Sequence, residues 1–125
     1  MNMSETRYFI NLSNHPSAAW GADQRAAAEI YGTIVDVPFP NIDPTLSTEE
    51  VRDLAEAYCE KILAYGTPAV MCQGEFCFSY AIVGMLKAHG CKVMAGCSER
   101  NVEEVMEEGQ LVKKVIFHFV QFREY

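Results

Sequence analysis

The sequence predicts an α/β domain built on a mainly parallel sheet, and three observations carry that expectation. Short runs rich in β-branched and aromatic residues alternate with longer segments of helical periodicity. The order strand, helix, strand, helix, strand, helix, strand is the pattern of a parallel sheet covered on both faces. The chain has 125 residues, 50% apolar and 22% charged, enough for one core but not for two. A single Rossmann-like domain over residues 1–125 is therefore expected. Right-handed crossovers give a strand order of 2-1-3-4. A C-terminal fifth strand joins at the edge, antiparallel to the fourth because the connection between them is short.

The elements follow in order. Tyr8 to Leu12 reads as strand one, and Ser17 to Tyr31 as a helix capped by Ser17 and stopped by Gly32. Its Ala-rich segment, Arg25 to Ile30, favours the helix. Thr33 to Val37 is strand two, and Pro38-Phe39-Pro40 forces an extended exit. Ser47-Thr48-Glu49-Glu50 starts the second helix with a capping box, and Val51, Leu54, Ala55, Tyr58, Ile62 and Leu63 form its buried face. Ala69 to Cys72 is strand three, and about Glu75 to His89 is a helix ended by Gly90. Cys91 to Ala95 is strand four. A polar loop from Gly96 to Arg100, an acidic helix around Val102 to Glu108 and a long strand from Lys113 to Phe122 complete the chain.

Bulk properties exclude several functions. A net charge of -7 opposes duplex nucleic acid, which needs many Lys and Arg to displace counterions. It leaves room for a small anion held by backbone N–H groups and one or two basic side chains. No secretory h-region and no apolar run near the ~20 residues of a membrane span are visible, so a cytoplasmic protein is expected. The five cysteines are odd in number and lack C-x-x-C spacing. That argues against a disulfide scaffold and a structural zinc site. Neither a metal nor a cofactor is expected.

Chemistry is expected at the carboxyl edge of the sheet, where three polar loops would converge. The first is Ser13-Asn14-His15-Pro16-Ser17, preceded by Asn11 and followed by Trp20 and Gln24 on the next helix. The second is Gln73-Gly74-Glu75-Phe76, where Gly74 lets a ligand approach the backbone at a helix N-terminus. The third is Cys97-Ser98-Glu99-Arg100-Asn101, where Ser98 and Arg100 would clamp an anion. His15 is the candidate acid/base group, though a turn cap is its plainer role. Ser13 and Ser17 lack the surroundings of a nucleophile elbow and serve more often as caps. Trp20 stacks on a base or packs in the core. Glu75 binds a ribose hydroxyl or caps its helix. The strand from Val115 to Tyr125 is apolar on both faces for most of its length, which predicts a two-fold homodimer that covers it.

Asn11-x-Ser13-x-His15-Pro16-Ser17-x-x-Trp20, Val37-Pro38-Phe39-Pro40, Gly74-Glu75 and Ser98-Glu99-Arg100 together resemble the small CARF-like (CRISPR-associated Rossmann fold) accessory proteins of type III systems. That resemblance implies a homodimer that binds a cyclic oligoadenylate across its axis and damps the signal. Some such proteins are metal-independent ring nucleases, in which a ribose 2′-hydroxyl attacks the neighbouring phosphorus. By position, His15, Arg100 and Ser13 would be catalytic, with Gly74, Glu75 and Phe76 lining the adenosine side. No Lys lies in any of the three loops, which argues against fast cleavage and leaves sequestration without hydrolysis as the other expectation. Two alternatives stand beside it. One is a nucleoside-processing enzyme resembling the nucleoside deoxyribosyltransferases, with Glu75 as nucleophile. The other is a non-catalytic regulatory or interaction module.

Overall fold

The segment Tyr8–Ser13 (β1) is buried from Phe9 onward, which explains why its sequence reads as a continuous apolar run rather than an alternation. It is the hub of the computed structural model, which describes residues 6–125. Thr33–Pro38 (β2) lies on one side of β1 and Ala69–Gln73 (β3) on the other, both parallel to it. Val93–Glu107 (β4) continues parallel to β3, and Gln110–Glu124 (β5) closes the edge antiparallel to β4. The order β2-β1-β3-β4-β5 is the one expected.

Helices cover both faces. Ala22–Glu29 (α1) lies on one face, and Thr48–Leu63 (α2) and Phe76–Ala88 (α3) on the other. The larger core packs Ile10, Leu12, Val70 and Cys72 of the sheet against Ala55, Ile62, Phe78, Ile82 and Leu86 of α2 and α3. Each large side chain buried there contributes about 1.5–3 kcal/mol. The opposite face is thinner: Phe9, Met71 and Met94 are covered by Ala28 with Trp20, Tyr31 and Phe122. Ser47 starts α2 as expected, its Oγ accepting from Glu50 N at 3.1 Å while Ser47 N donates to Glu50 Oε1 at 3.0 Å.

Two expectations are corrected. The helix drawn from Ser17 to Tyr31 is a 3-10 turn, Ser17–Ala19, followed by α1 from Ala22. Ser17 caps nothing with its side chain, since Pro16 and Gly21 occupy the cap positions. The second correction is larger. The loop Gly96–Arg100 and the acidic helix Val102–Glu108 do not exist, because β4 runs unbroken to Glu107. Glu108 and Gly109, with φ of 50° and 79°, form a two-residue hairpin turn, and β5 starts at Gln110 rather than Lys113. Cross-strand pairs Val102/Val115, Val105/Val112 and Met106/Leu111 reward the hairpin. Val102, Val105 and Met106 also satisfy the i, i+3, i+4 spacing of a helix, which is why the segment misleads.

From Ser98 onward β4 and β5 pair only with each other, after an irregularity between Cys97 and Ser98. Ten residue pairs at ~3.4 Å make this a ribbon-like arm about 34 Å long.

Cys59, Cys72 and Cys91 are buried, and burial raises all three thiol pKa values, that of Cys72 from 9.0 to about 11. In native protein these three are expected to resist a thiol reagent that modifies all five cysteines in denaturant. Between pH 9 and 11 the unfolded Cys72 thiol ionises while the folded one keeps its proton. Stability therefore falls as pH rises through that window, by roughly 1–3 kcal/mol. Urea unfolding at several pH values checks this.

Candidate functional site

Asn11 is a buried polar residue in the middle of β1, only 1% exposed. Its amide must therefore find partners inside the protein. Nδ2 donates to His15 O at 2.8 Å and to Asp36 Oδ1 at 3.0 Å, and Oδ1 accepts from Ser13 Oγ at 2.6 Å. His15 N donates back to Ser13 Oγ at 3.2 Å. Asp36, directly opposite Asn11 on β2, also accepts from Ser17 N. Arg25 Nη2 of α1 donates to Ser17 O at 2.7 Å. Asn11 and Ser13 thus hold the first loop in shape, and Asn14 and the His15 ring remain exposed. Asp36 and Arg25 complete the network although the sequence reading gave them no part in this loop. The available signal was a carboxylate inside an otherwise apolar strand.

Trp20 packs edge-on to Phe9 at 6.2 Å and beside Phe122 at 6.4 Å, so it serves as a lid on the thinner core. Gln24 reaches the Met71 sulfur at 3.8 Å.

The second loop adjoins the first, since Ser13 and Gln73 are partners in the β1–β3 register. Gly74 leaves space, but the ring of Phe39 takes it: a Cβ at Gly74 would lie 2.4 Å from that ring. Phe39 is itself tied down by its N–H donating to Ser13 O at 3.3 Å. The crevice between β1 and β3 is therefore filled by protein at Gly74. Glu75 acts as the N-cap of α3, its Oε1 accepting from Phe78 N at 2.7 Å. Gln73 Oε1 accepts from Gly96 N at 2.8 Å and links β3 to β4.

The third expected loop is strand. Ser98 and Arg100 are exposed on the arm, opposite Phe119 and Phe117, and not at a helix N-terminus. Two of the three predicted clusters meet at the sheet edge, and the third belongs to a ribbon that leaves it.

A wide opening lies along α3. It is an open groove of about 1540 Å³, with Phe76, Tyr80, Ala81, Gly84 and Met85 on one side and Ile42, Leu46 and Val51 on the other. Phe76 is 89% and Tyr80 86% exposed. Tyr125 sits on its border, with Oη donating to Cys72 O at 2.6 Å and its carbonyl accepting from Lys87 Nζ at 2.8 Å. Burial there raises the Tyr125 pKa. The signal for this groove was in α3 itself, which is apolar around most of its circumference although only one face can meet the core. Among the described residues no three His, Cys, Asp or Glu side chains gather where a metal ion could be held, and no helix is long and apolar enough to cross a membrane.

These features define an α/β domain of flavodoxin-like strand order that carries a ribbon arm and an apolar groove. Residues 7–123 match the model of the Uncharacterized protein MJ1673 family, and the chain belongs to that family. No curated protein and no solved structure matches it.

Replacing Asn11 with Ala would leave the Ser13 hydroxyl and the His15 carbonyl only their longer contact with each other at 3.3 Å, at a cost of about 1 kcal/mol in urea unfolding. Gly74→Ala is expected to cost a similar ~1–3 kcal/mol by driving a methyl group into Phe39. His15→Ala should leave the unfolding midpoint nearly unchanged.

Proposed function

We propose that the protein is a non-catalytic interaction module that holds an apolar protein segment in the groove along α3. The observation that carries this reading is the near-complete exposure of Phe76 and Tyr80 beside Ala81, Gly84 and Met85. Contiguous apolar surface of this kind marks a contact site, whereas scattered exposed residues do not. The polar loops support the same reading, since Asn11, Ser13 and Glu75 are engaged in shaping and capping. Free thiols at all five cysteines favour a reducing compartment, and the cytoplasm is the location that goes with this proposal.

The strand order favours a second reading. The order reverses between β1 and β3, and the exposed Asn14 and His15 border that switch point. A cyclic oligoadenylate binding there would meet Asn14, His15 and Ser17, and would be either sequestered or cleaved without metal by 2′-hydroxyl attack. The deoxyribosyltransferase alternative has less support, because Glu75 is engaged as a helix cap.

The dye 1-anilinonaphthalene-8-sulfonate tests the groove in a Leu111→Glu background, which adds a charge near the tip of the exposed apolar face of the arm. Fluorescence is expected to be several-fold higher on Leu111→Glu than on Tyr80→Glu/Leu111→Glu. Equal fluorescence would refute the groove. For the second reading, cyclic tetra-adenylate is incubated with wild type in EDTA. Linear products with a 2′,3′-cyclic phosphate, reduced about 10²-fold or more in His15→Ala, would support a ring nuclease. Binding heat without products would support sequestration, and neither heat nor product removes the reading.

A further inference from the structure

We propose that two copies of this chain form a two-fold dimer in which the arm of each lies in the α3 groove of the other. The proposal rests on the reading of the groove as a docking site and names its occupant.

The arm needs a partner. A two-stranded ribbon is marginal in water without a surface to pack on, and from Ser98 to Phe119 this one pairs only with itself. Its two faces differ. Strand alternation and the cross-strand register put Val102, Met106, Leu111, Val115 and Phe117 on one face, exposed by 56, 66, 62, 45 and 65%. The other face carries Glu99, Glu103 and Glu107 beside the half-buried Val105, Val112 and Ile116, with Lys114 paired to Glu107 and His118 within 3.8 Å of Glu103. The first face carries the more exposed apolar side chains, and the second carries the row of acids.

Charge and area fit a second copy. The apolar face also carries Arg100 and Lys113 against one acid, Glu104. The groove lining offers Asp43 to the bases and Arg52 to the acid, with Glu75 and Lys87 already engaged by Phe78 N and Tyr125 O. An arm about 34 Å long and ~10 Å wide presents roughly 340 Å² on one face. Arm and groove are each buried twice in a symmetric pair, giving about 1,400 Å², within the ~1,200–2,000 Å² of stable interfaces.

Placement fits as well. Ala95 and Tyr125 border the groove, and the arm begins at Ser98, so arm and groove share a root. Two arms laid antiparallel about a two-fold axis bring each tip over the partner's groove. At the root the apolar face continues the α1 side of the sheet, Phe119 packing on Phe122 at 4.9 Å, and ribbon twist turns the faces along the arm. Reciprocal exchange closes the assembly at two copies, whereas a one-way contact would propagate.

Sedimentation tests the proposal with wild type, the arm variant Leu111→Glu and the groove variant Tyr80→Glu, all checked for folding by circular dichroism. Wild type is expected at twice the 14.0 kDa chain mass, and each variant alone as a monomer. An equimolar mixture of the two variants is expected to regain dimers, because one wild-type arm then meets one wild-type groove. Cys77, exposed beside the groove, should react with iodoacetamide more slowly as wild-type concentration rises. A monomeric wild type at high micromolar concentration overturns the dimer, while the dye signal of Leu111→Glu reports on the groove separately. A dimeric Tyr80→Glu, or variants that fail to complement, would mean that the arms meet each other and would overturn the arm-in-groove contact.

Discussion

Burial of the Asn11 amide at the centre of the sheet is the constraint on which the rest of the edge depends. A primary amide sealed from water has to be hydrogen-bonded within the protein, at a penalty of about 1–3 kcal/mol for each group left unpaired. Its three partners lie on different pieces of chain: Ser13 ends β1, His15 lies in the following loop and Asp36 belongs to β2. Satisfying one side chain thereby fixes the β1–β2 register and the turn after β1. Asp36 then holds Ser17 N, and Ser17 O holds Arg25, so the constraint reaches the start of α1. The loop that looks richest in chemistry owes much of its polarity to this folding requirement.

A second contact redirects the question of function. In folds of this strand order the crevice between the first and third strands is the customary place for a ligand. Here Phe39, only 8% exposed, occupies the space over Gly74 and packs edge-on to Phe78 at 5.1 Å. The glycine that would admit a phosphate admits a phenyl ring instead. Core material extends to the lip of the sheet at that point, and the concave surface lies beside it, between α3 and the segment leading into α2. The groove is lined mainly by apolar side chains, with Asp43, Arg52, Glu75 and Lys87 among them.

The sequence reveals the sheet more fully than the site. Continuous apolar runs in β1 and β3, the capping box at Ser47 and the glycine after α3 are local signals, and local signals set the elements. The arm is different. Val102, Val105 and Met106 fit a helix as well as a strand, and only pairing with Val115, Val112 and Leu111 decides between them. That information is non-local. Arg100 was misplaced for the same reason, because a segment read as a loop puts its side chain at the sheet edge while a strand carries it away. Ser13 and Glu75 are legible as polar residues at strand ends, but whether each faces a ligand or the backbone depends on partners such as Asp36 and Phe78 N.

An acidic chain that exposes this much apolar surface carries two opposed tendencies, and the arm reconciles them by geometry. A net charge of -7 keeps copies apart at long range. Contact is favourable only if the acids remain in water while the apolar side chains leave it. Alternation along the strand achieves part of that separation, pointing Glu99, Glu103 and Glu107 away from Val102 and Met106, while Glu104 shares the face of Val102 and Val105 shares the face of the other acids. The hairpin turn at Glu108 and Gly109 preserves the segregation on the return strand, where Leu111, Val115 and Phe117 rejoin the apolar side. A helix over the same residues would have gathered Val102, Val105 and Met106 on one stripe but left β5 without its partner. The ribbon therefore does two things at once: it completes the edge of the sheet at its root and gathers Val102, Met106, Leu111, Val115 and Phe117 on one exposed face beyond it.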